Sequence, residues 1–150
     1  MARRDQKEGV ERVRDVLESV DVKRKRKPLT VIFVKGEKGE DRKGACLEVV
    51  ECINRRRFDM LKYEGAWCGL TNTTDVAAID DVDKQNIPIG DFFDIVLGPR
   101  IQTADNLVWN RYGYLIMTSE KGFDELYKDA SGYHRFLLMD IKVKLIEVNI

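Results

Sequence analysis

The chain has 150 residues, a length that normally forms a single domain with its own hydrophobic core. Its 43% hydrophobic and 35% charged residues are typical of a soluble globular chain, and no apolar run approaches the roughly 20 residues that span a bilayer. The 26 basic and 26 acidic residues cancel, so the net charge does not indicate a nucleic-acid binder. We expect no membrane contact and, because residues 1–20 contain no apolar signal core, a cytoplasmic protein.

The first 28 residues are predicted to form a basic helical arm. Four apolar residues recur at helical spacing within 3–20: Val10, Val13, Leu17 and Val20. This stripe is narrow and mostly β-branched, so such a helix needs a neighbouring surface to stabilise it. Five cations follow it: Lys23, Arg24, Lys25, Arg26 and Lys27. Pro28 ends the arm, and residues 29–150 are predicted to be one strand-rich domain.

The domain is predicted to open with a buried strand at 29–34, where β-branched and aromatic residues run without a break. A charged, glycine-punctuated loop follows at 35–44. Residues 45–54 fit either a helix face or the second arm of a hairpin, and the hairpin is slightly favoured. The alternating residues 57–63 predict a further strand.

The second half of the chain is predicted to contain short strands separated by loops. One short strand is expected at Val76–Ile79, and residues 91–100 fit a short helix or a strand ended by Gly98 and Pro99. Residues 106–119 predict a strong strand, followed by a turn with one helical turn. His134 is expected in a turn, and Arg135 and Phe136 are expected to start a closing strand. Apolar residues alternate from Met139 to Leu145 and then change phase, which predicts a bulge or bend in that strand.

Short strands with a turn about every ten residues favour a small sheet or barrel. The expected fold class is α+β and mainly β. It consists of an N-terminal helix followed by a small SH3-like or Sm-like barrel, or by a strongly bent antiparallel sheet.

Motifs that carry chemistry are scarce. Gly39 and Gly44 have the spacing of a phosphate-binding loop, but Ala45 and Cys46 stand where a lysine and a hydroxyl residue are required. A single histidine, His134, and three cysteines without CxxC spacing do not predict a zinc site. We therefore expect no catalytic, cofactor or metal site, and a protein that is not an enzyme.

Two stretches are similar to the signatures of the RNA-recognition-motif family: VIFVKG at 31–36 and RYGYLIM at 111–117. In that family, aromatic side chains on adjacent strands stack on bases, while cations contact phosphates. The resemblance implies an alternative function, a nucleic-acid-binding module. Its candidate residues are Lys23, Arg24, Lys25, Arg26, Lys27, Phe33, Arg55, Arg56, Arg57, Tyr112 and Tyr114.

A second resemblance is to the Sm-like, WYL-related small β-barrel proteins of tailed phages and mobile elements. LTVIFVKGEKGEDRKGAC at 29–46 resembles their opening hairpin, and GYHRFLLMDIKVKL at 132–145 resembles their ending. The positions that match the ending are Tyr133, Arg135, Phe136, Leu138, Asp140 and Ile141. The resemblance implies a barrel that serves as an interaction module without a common chemistry.

The expected function is a non-enzymatic structural or adaptor subunit of a larger protein assembly, with a phage virion as the setting. Its partners would be other protein subunits, contacted through the arm and through the charged loops at 35–44 and 80–86. Such a subunit would lie in the host cytoplasm or in the virion.

Overall fold

The computed structural model describes residues 29–36, 57–110 and 112–149. The predicted arm at 1–28 and the alternative helix or strand at 45–54 lie outside these residues. Eight strands are present in the described part: β1 (Thr30–Lys35), β2 (Phe58–Tyr63), β3 (Trp67–Cys68), β4 (Val76–Ile79), β5 (Arg100–Gln102), β6 (Leu107–Trp109), β7 (Tyr114–Ser119) and β8 (Ile146–Asn149). The helices are α1 (Ile89–Leu97), α2 (Phe123–Leu126) and α3 (Gly132–Lys144), and a 3-10 turn at Val82–Lys84 follows β4. The described chain is therefore α+β, with more strand than helix.

Six of the strands form one mixed sheet in the order β3-β2-β4-β7-β1-β8. β2, β4, β7, β1 and β8 are parallel neighbours, and only β3 pairs antiparallel, with β2. Within the described residues β3 and β8 are the two edges of this sheet. The predicted barrel and the predicted bent antiparallel sheet are both wrong. Both rest on antiparallel strands joined by hairpins, whereas the parallel strands of this sheet require long crossovers.

Burial on both faces explains the parallel arrangement of the central strands. In β1, the alternating side chains of Val31, Ile32, Phe33 and Val34 are all at most 5% exposed, although they point to opposite faces. β4 and β7 are buried along their whole lengths. Strands that are covered on both faces are typical of parallel sheets in α/β layers.

Helices α1, α2 and α3 contribute to a single apolar layer on one face of the sheet. Phe33 of β1 meets Phe123 of α2 edge to face, with ring centroids 5.8 Å apart. Phe92 of α1 lies 6.3 Å from the same Phe123 ring, and Ile141 of α3 belongs to the same buried cluster. The sheet therefore fixes where each helix sits and which side of it is buried.

The strands predicted at 29–34, at 57–63 and at Val76–Ile79 are confirmed, as is the helical turn, now α2. The open alternative at 91–100 is resolved in favour of a helix, α1. The single strand predicted at 106–119 is wrong. It is two strands in different sheets, because β6 pairs with β5 in a separate antiparallel hairpin while β7 enters the main sheet.

The predicted closing strand is wrong from its start to Lys144, as is the turn at His134. Residues 134–144 belong to α3, and within the described residues only Ile146–Asn149 of this stretch is a strand. The phase change after Leu145 marks the passage from helix to strand and is not a bulge. The Leu145 N–H donates to the Ile141 carbonyl at 3.0 Å and ends the helix. β8 then pairs with β1, with Ile146 opposite Ile32.

Substitution of Gly69, which follows β3, tests the close approach of the backbone at this edge of the sheet. The Gly69 φ of +98° is unfavourable for any side chain, and an added Cβ would lie 2.5 Å from the Met60 carbonyl oxygen of β2. We expect Gly69→Ala to lower the free energy of unfolding by about 2 kcal/mol or more. Urea denaturation followed by circular dichroism measures this.

Gly90→Ala is the matched control, because a Cβ at Gly90 in α1 meets nothing within 4 Å. Alanine favours helix, so this change should be neutral or stabilise by up to about 1 kcal/mol. Equal effects at the two glycines would contradict the geometry at Gly69.

Tyr112 makes the stability depend on pH in the alkaline range. Its ring is 3% exposed and its hydroxyl donates to the Ile95 carbonyl of α1. Burial raises the pKa of the Tyr112 phenol well above its ordinary value of 10.0. The unfolded tyrosine ionises from about pH 10 while the folded one stays neutral, so its contribution is present below that pH and is lost above it.

We expect the stability difference between the wild type and Tyr112→Phe to stay constant from neutral pH to about pH 9. Above about pH 10 the wild type should lose up to about 1.4 kcal/mol per pH unit more than the variant, since phenylalanine has no proton to lose. Urea titrations at stepped pH values measure both curves. Curves that stay parallel to pH 11 would show that Tyr112 ionises freely.

Candidate functional site: the outer face of helix α3

Helix α3 leads from the carboxyl end of β7 back to the start of β8. Gly132 has a φ of 60° and turns the chain into the helix. Lys142 and Lys144 lie in the last turn, where cations interact favourably with the helix dipole. Lys142 also forms an ion pair with Asp124 of α2. The local sequence thus supplies both a start and an end for this helix.

The inner face of α3 belongs to the core. Ile141 is 1% exposed, and Leu137 and Leu138 are partly buried against the same apolar cluster. The His134 ring lies 5.8 Å from the Phe93 ring of α1. His134 is itself exposed, and its ring contacts α1 near the middle of that helix, at an aromatic side chain.

The outer face of α3 carries large apolar side chains in solvent. Four residues follow one another along it in steps of three, three and four, which keeps them on one side of a helix. They are Tyr133, Phe136, Met139 and Val143, with exposed fractions of 73%, 68%, 60% and 85%. We call these four side chains the α3 outer face. A helix that is apolar on both sides is normally buried on both sides.

The size of the outer face is consistent with a contact surface. Since a large aromatic side chain accounts for about 150–250 Å², the four side chains together expose roughly 500 Å². That is the size of the largest apolar patch on a typical monomer, and such patches are often functional. Single exposed apolar residues are common on protein surfaces, but a continuous row along one helix is not explained by chance exposure.

The charges beside the outer face are mainly positive. Arg135 is exposed, and Asp140 lies one turn after Phe136, where it pairs with Lys144 at 3.2 Å. Residues 132–144 carry Arg135, Lys142 and Lys144 against Asp140, three cations minus one anion, a net charge of +2 with neutral histidine. Asp124 of α2 pairs with Lys142, so the rim keeps a small positive excess, which favours an acidic partner.

The β5–β6 hairpin forms a second, smaller exposed surface. Leu107 and Trp109 point outward and are 50% and 55% exposed, while Ile101 and Val108 point inward and are buried. The Arg100 guanidinium lies 5.3 Å from the Trp109 ring centroid, a cation–π contact within the hairpin. Trp109 thus already has a partner from its own hairpin, which makes this surface the weaker candidate.

The aromatic residues assigned to base stacking are not on an open face. Phe33, Tyr112 and Tyr114 are 0%, 3% and 2% exposed. In the register of β1 and β7, Phe33 lies opposite Met117 and Tyr114 lies opposite Thr30, so the two rings are three positions apart and point to opposite faces of the sheet. The structure therefore contradicts the assignment of these three rings to base stacking, because a ring without free surface cannot stack on a base.

Of the predicted basic residues, only Arg57 lies in the described part of the chain. Its guanidinium donates to Asp59 at 2.8 Å and to Thr73 at 3.0 Å, at the start of β2. Thr74 donates to the same Asp59 carboxylate at 2.6 Å. Arg57 therefore belongs to a hydrogen-bond network with other residues of this chain. Lys23 to Lys27, Arg55 and Arg56 lie outside the described residues.

The carboxyl ends of the parallel strands are the usual place for ligands in an open α/β sheet. Here the predicted contact loop at 80–86 begins, at the end of β4. The Thr118 hydroxyl donates to the Asp80 carboxylate at 2.7 Å, and Lys84 pairs with Glu120 at 2.9 Å. These polar groups pair with one another within the chain, so they hold the loop against the end of β7. Of the other predicted contact loop, only Lys35 and Gly36 are described.

Within the described ranges no group of three or more His, Cys, Asp or Glu side chains is placed to hold a metal ion. None of the helices there has the length and apolarity that a bilayer crossing requires.

The sequence prediction missed the α3 outer face because it assigned part of this stretch to a strand. The signal was nevertheless present. Leu137, Leu138 and Ile141 repeat at helical spacing on one side, and the exposed row repeats at helical spacing on the other. Two interleaved helical rows place apolar residues at nearly every position. Over a few residues, this pattern resembles the alternation of a strand.

No protein-family model and no curated protein matches the sequence. The geometry of α3 is therefore the basis for the function proposed below.

A matched pair of substitutions on α3 tests the difference between its faces. We expect Ile141→Ala to lower the free energy of unfolding by about 2–5 kcal/mol, because it leaves a cavity in the core. Val143→Ala should change it by less than about 0.5 kcal/mol, because its side chain is already in solvent. Urea denaturation at low protein concentration measures both, and a costly Val143→Ala would show that this face is covered within one chain.

Proposed function

We propose that the protein is a structural or adaptor subunit that assembles with other protein chains, and that the α3 outer face is its contact surface. The observation that carries this proposal is the row of four exposed apolar side chains on a helix whose opposite side is core. Leaving these side chains in water forgoes the free energy of burial, roughly 25 cal/mol per Å² of apolar area. Burial against a partner would recover part of it.

The occupant that we propose is a second copy of this chain. The net charge is zero, so two copies do not repel one another at long range. Most soluble oligomers are symmetric assemblies of identical chains. A stable interface buries about 800 Å² on each partner, so the apolar row together with its charged rim has about the right extent. A phage virion is the setting that the sequence resemblance implies for such a subunit, and we keep it as part of the proposal.

Sedimentation velocity across the micromolar range tests the assembly. We expect the wild type to shift from monomer to dimer or larger species as concentration rises. Phe136→Glu should remain monomeric at every concentration, because it places a charge at the centre of the contact. Circular dichroism should show the same fold for both proteins, since Phe136 is largely exposed.

Leu107→Glu on the hairpin is the matched control, because it makes the same kind of change at a 50% exposed residue outside α3. It should assemble like the wild type. A wild type that stays monomeric throughout, or a loss of assembly with Leu107→Glu but not with Phe136→Glu, would contradict the proposal.

A further inference from the structure

The N-terminal arm carries a row of apolar residues with the same spacing as the α3 outer face. Val10, Val13, Val16 and Val20 follow one another in steps of three, three and four, as do the four residues of the outer face, and Leu17 lies on the same side of the predicted helix. Both rows cover eleven residues, and the ten steps between their ends amount to about 15 Å along a helix. Two helical rows of equal length and spacing can pack along their whole length.

We propose that residues 10–21 of a second copy occupy the α3 outer face, so that the arm of one subunit docks on the body of the next. This inference rests on the proposed function, because it names the segment that the second copy supplies.

The shapes of the two rows complement one another. The α3 row contains the aromatic residues Tyr133 and Phe136, whereas the apolar side of the arm consists of four valines and Leu17. Large side chains on one helix fit between small ones on the other, which gives dense packing without voids. The predicted arm helix has a narrow stripe that needs a surface, and α3 offers an apolar surface of matching length.

The charges of the two segments are opposite. Residues 10–21 carry four anions and two cations, a net charge of −2: Glu11, Asp15, Glu18 and Asp21 against Arg12 and Arg14. The residues of α3 carry +2, or +1 when Asp124 of α2, the ion-pair partner of Lys142, is counted with them. Two copies of α3 facing each other would instead repel, and they would bring Asp140 into the apolar contact. The charges thus favour the arm over a second α3 as the occupant.

The arm joins the body at the end of the molecule where α3 ends. Leu29 packs against the same core as Leu145, and β1 runs beside β8, which begins at Ile146. Residues 22–28 span at most about 25 Å, which exceeds the roughly 20 Å length of α3. Within this linker, five consecutive cations repel one another, and such linkers extend. We infer that an extended linker presents the arm to a neighbour instead of to its own body.

A labelled peptide of residues 8–22 tests the arm contact directly. The acceptor is the full chain with Val13→Glu and Leu17→Glu, whose own arm cannot compete. Fluorescence anisotropy should show saturable binding, and adding Phe136→Glu to the acceptor should weaken it roughly tenfold or more. Adding Leu107→Glu instead should leave the affinity unchanged. Absence of binding to the first acceptor, or equal binding with Phe136→Glu, would overturn the inference.

Mixing two defective full-length variants provides the second test. The Val13→Glu, Leu17→Glu protein has an intact α3 but no working arm, and Phe136→Glu has the reverse defect. Each alone should be monomeric in sedimentation velocity, and an equimolar mixture should form a dimer through the one remaining arm contact. A mixture that stays monomeric would overturn the inference.

The outcomes separate the two proposals. If the wild type assembles through Phe136 but the peptide does not bind and the mixture stays monomeric, the proposed function stands and the arm is not the occupant. If the peptide binds while the wild type remains monomeric, the arm docks on its own α3, and both the second-copy occupant and the assembly proposal are overturned.

Discussion

The parallel pairing of β1 with both of its neighbours is the constraint on which the rest of the structure depends. β1 lies between β7 and β8, and all three run in the same direction. Parallel strands cannot be joined by a tight turn, so the chain must leave β7 and return along the sheet before β8 begins. Helix α3 is that return segment. Its existence and its position on the sheet follow from the strand order.

The same constraint explains why α3 has two apolar faces with different roles. Packing on the sheet uses only the side that holds Ile141, and the opposite side of a helix about 10 Å across cannot reach the core. The row from Tyr133 to Val143 therefore has no structural role in the described fold of one chain. The candidate surface lies on a helix that is held in place by core packing and by the Lys142–Asp124 ion pair.

How much could be predicted from the sequence depended on the length and period of each apolar run. The uninterrupted run at 31–34 predicted a buried strand, and the alternation at 57–63 predicted another; both are present. Neither pattern states the direction of pairing, which depends on contacts between residues far apart in sequence. The base-stacking assignment failed for the same reason. An aromatic residue in a strand has the same sequence pattern whether its ring is exposed or buried, and only the structure shows that Phe33, Tyr112 and Tyr114 are buried.

The sequence by itself determined where most strands lie, that charged and apolar residues balance, and that the arm carries an amphipathic helical pattern. Those properties are local, because side-chain period and composition act over a few residues. Only the tertiary structure decided that the sheet of the described residues is largely parallel, that the stretch after Gly132 is a helix, and that one row of its apolar residues stays in solvent. A helix with apolar residues on two sides can bury either one, and the neighbouring strands determine which side remains for a partner.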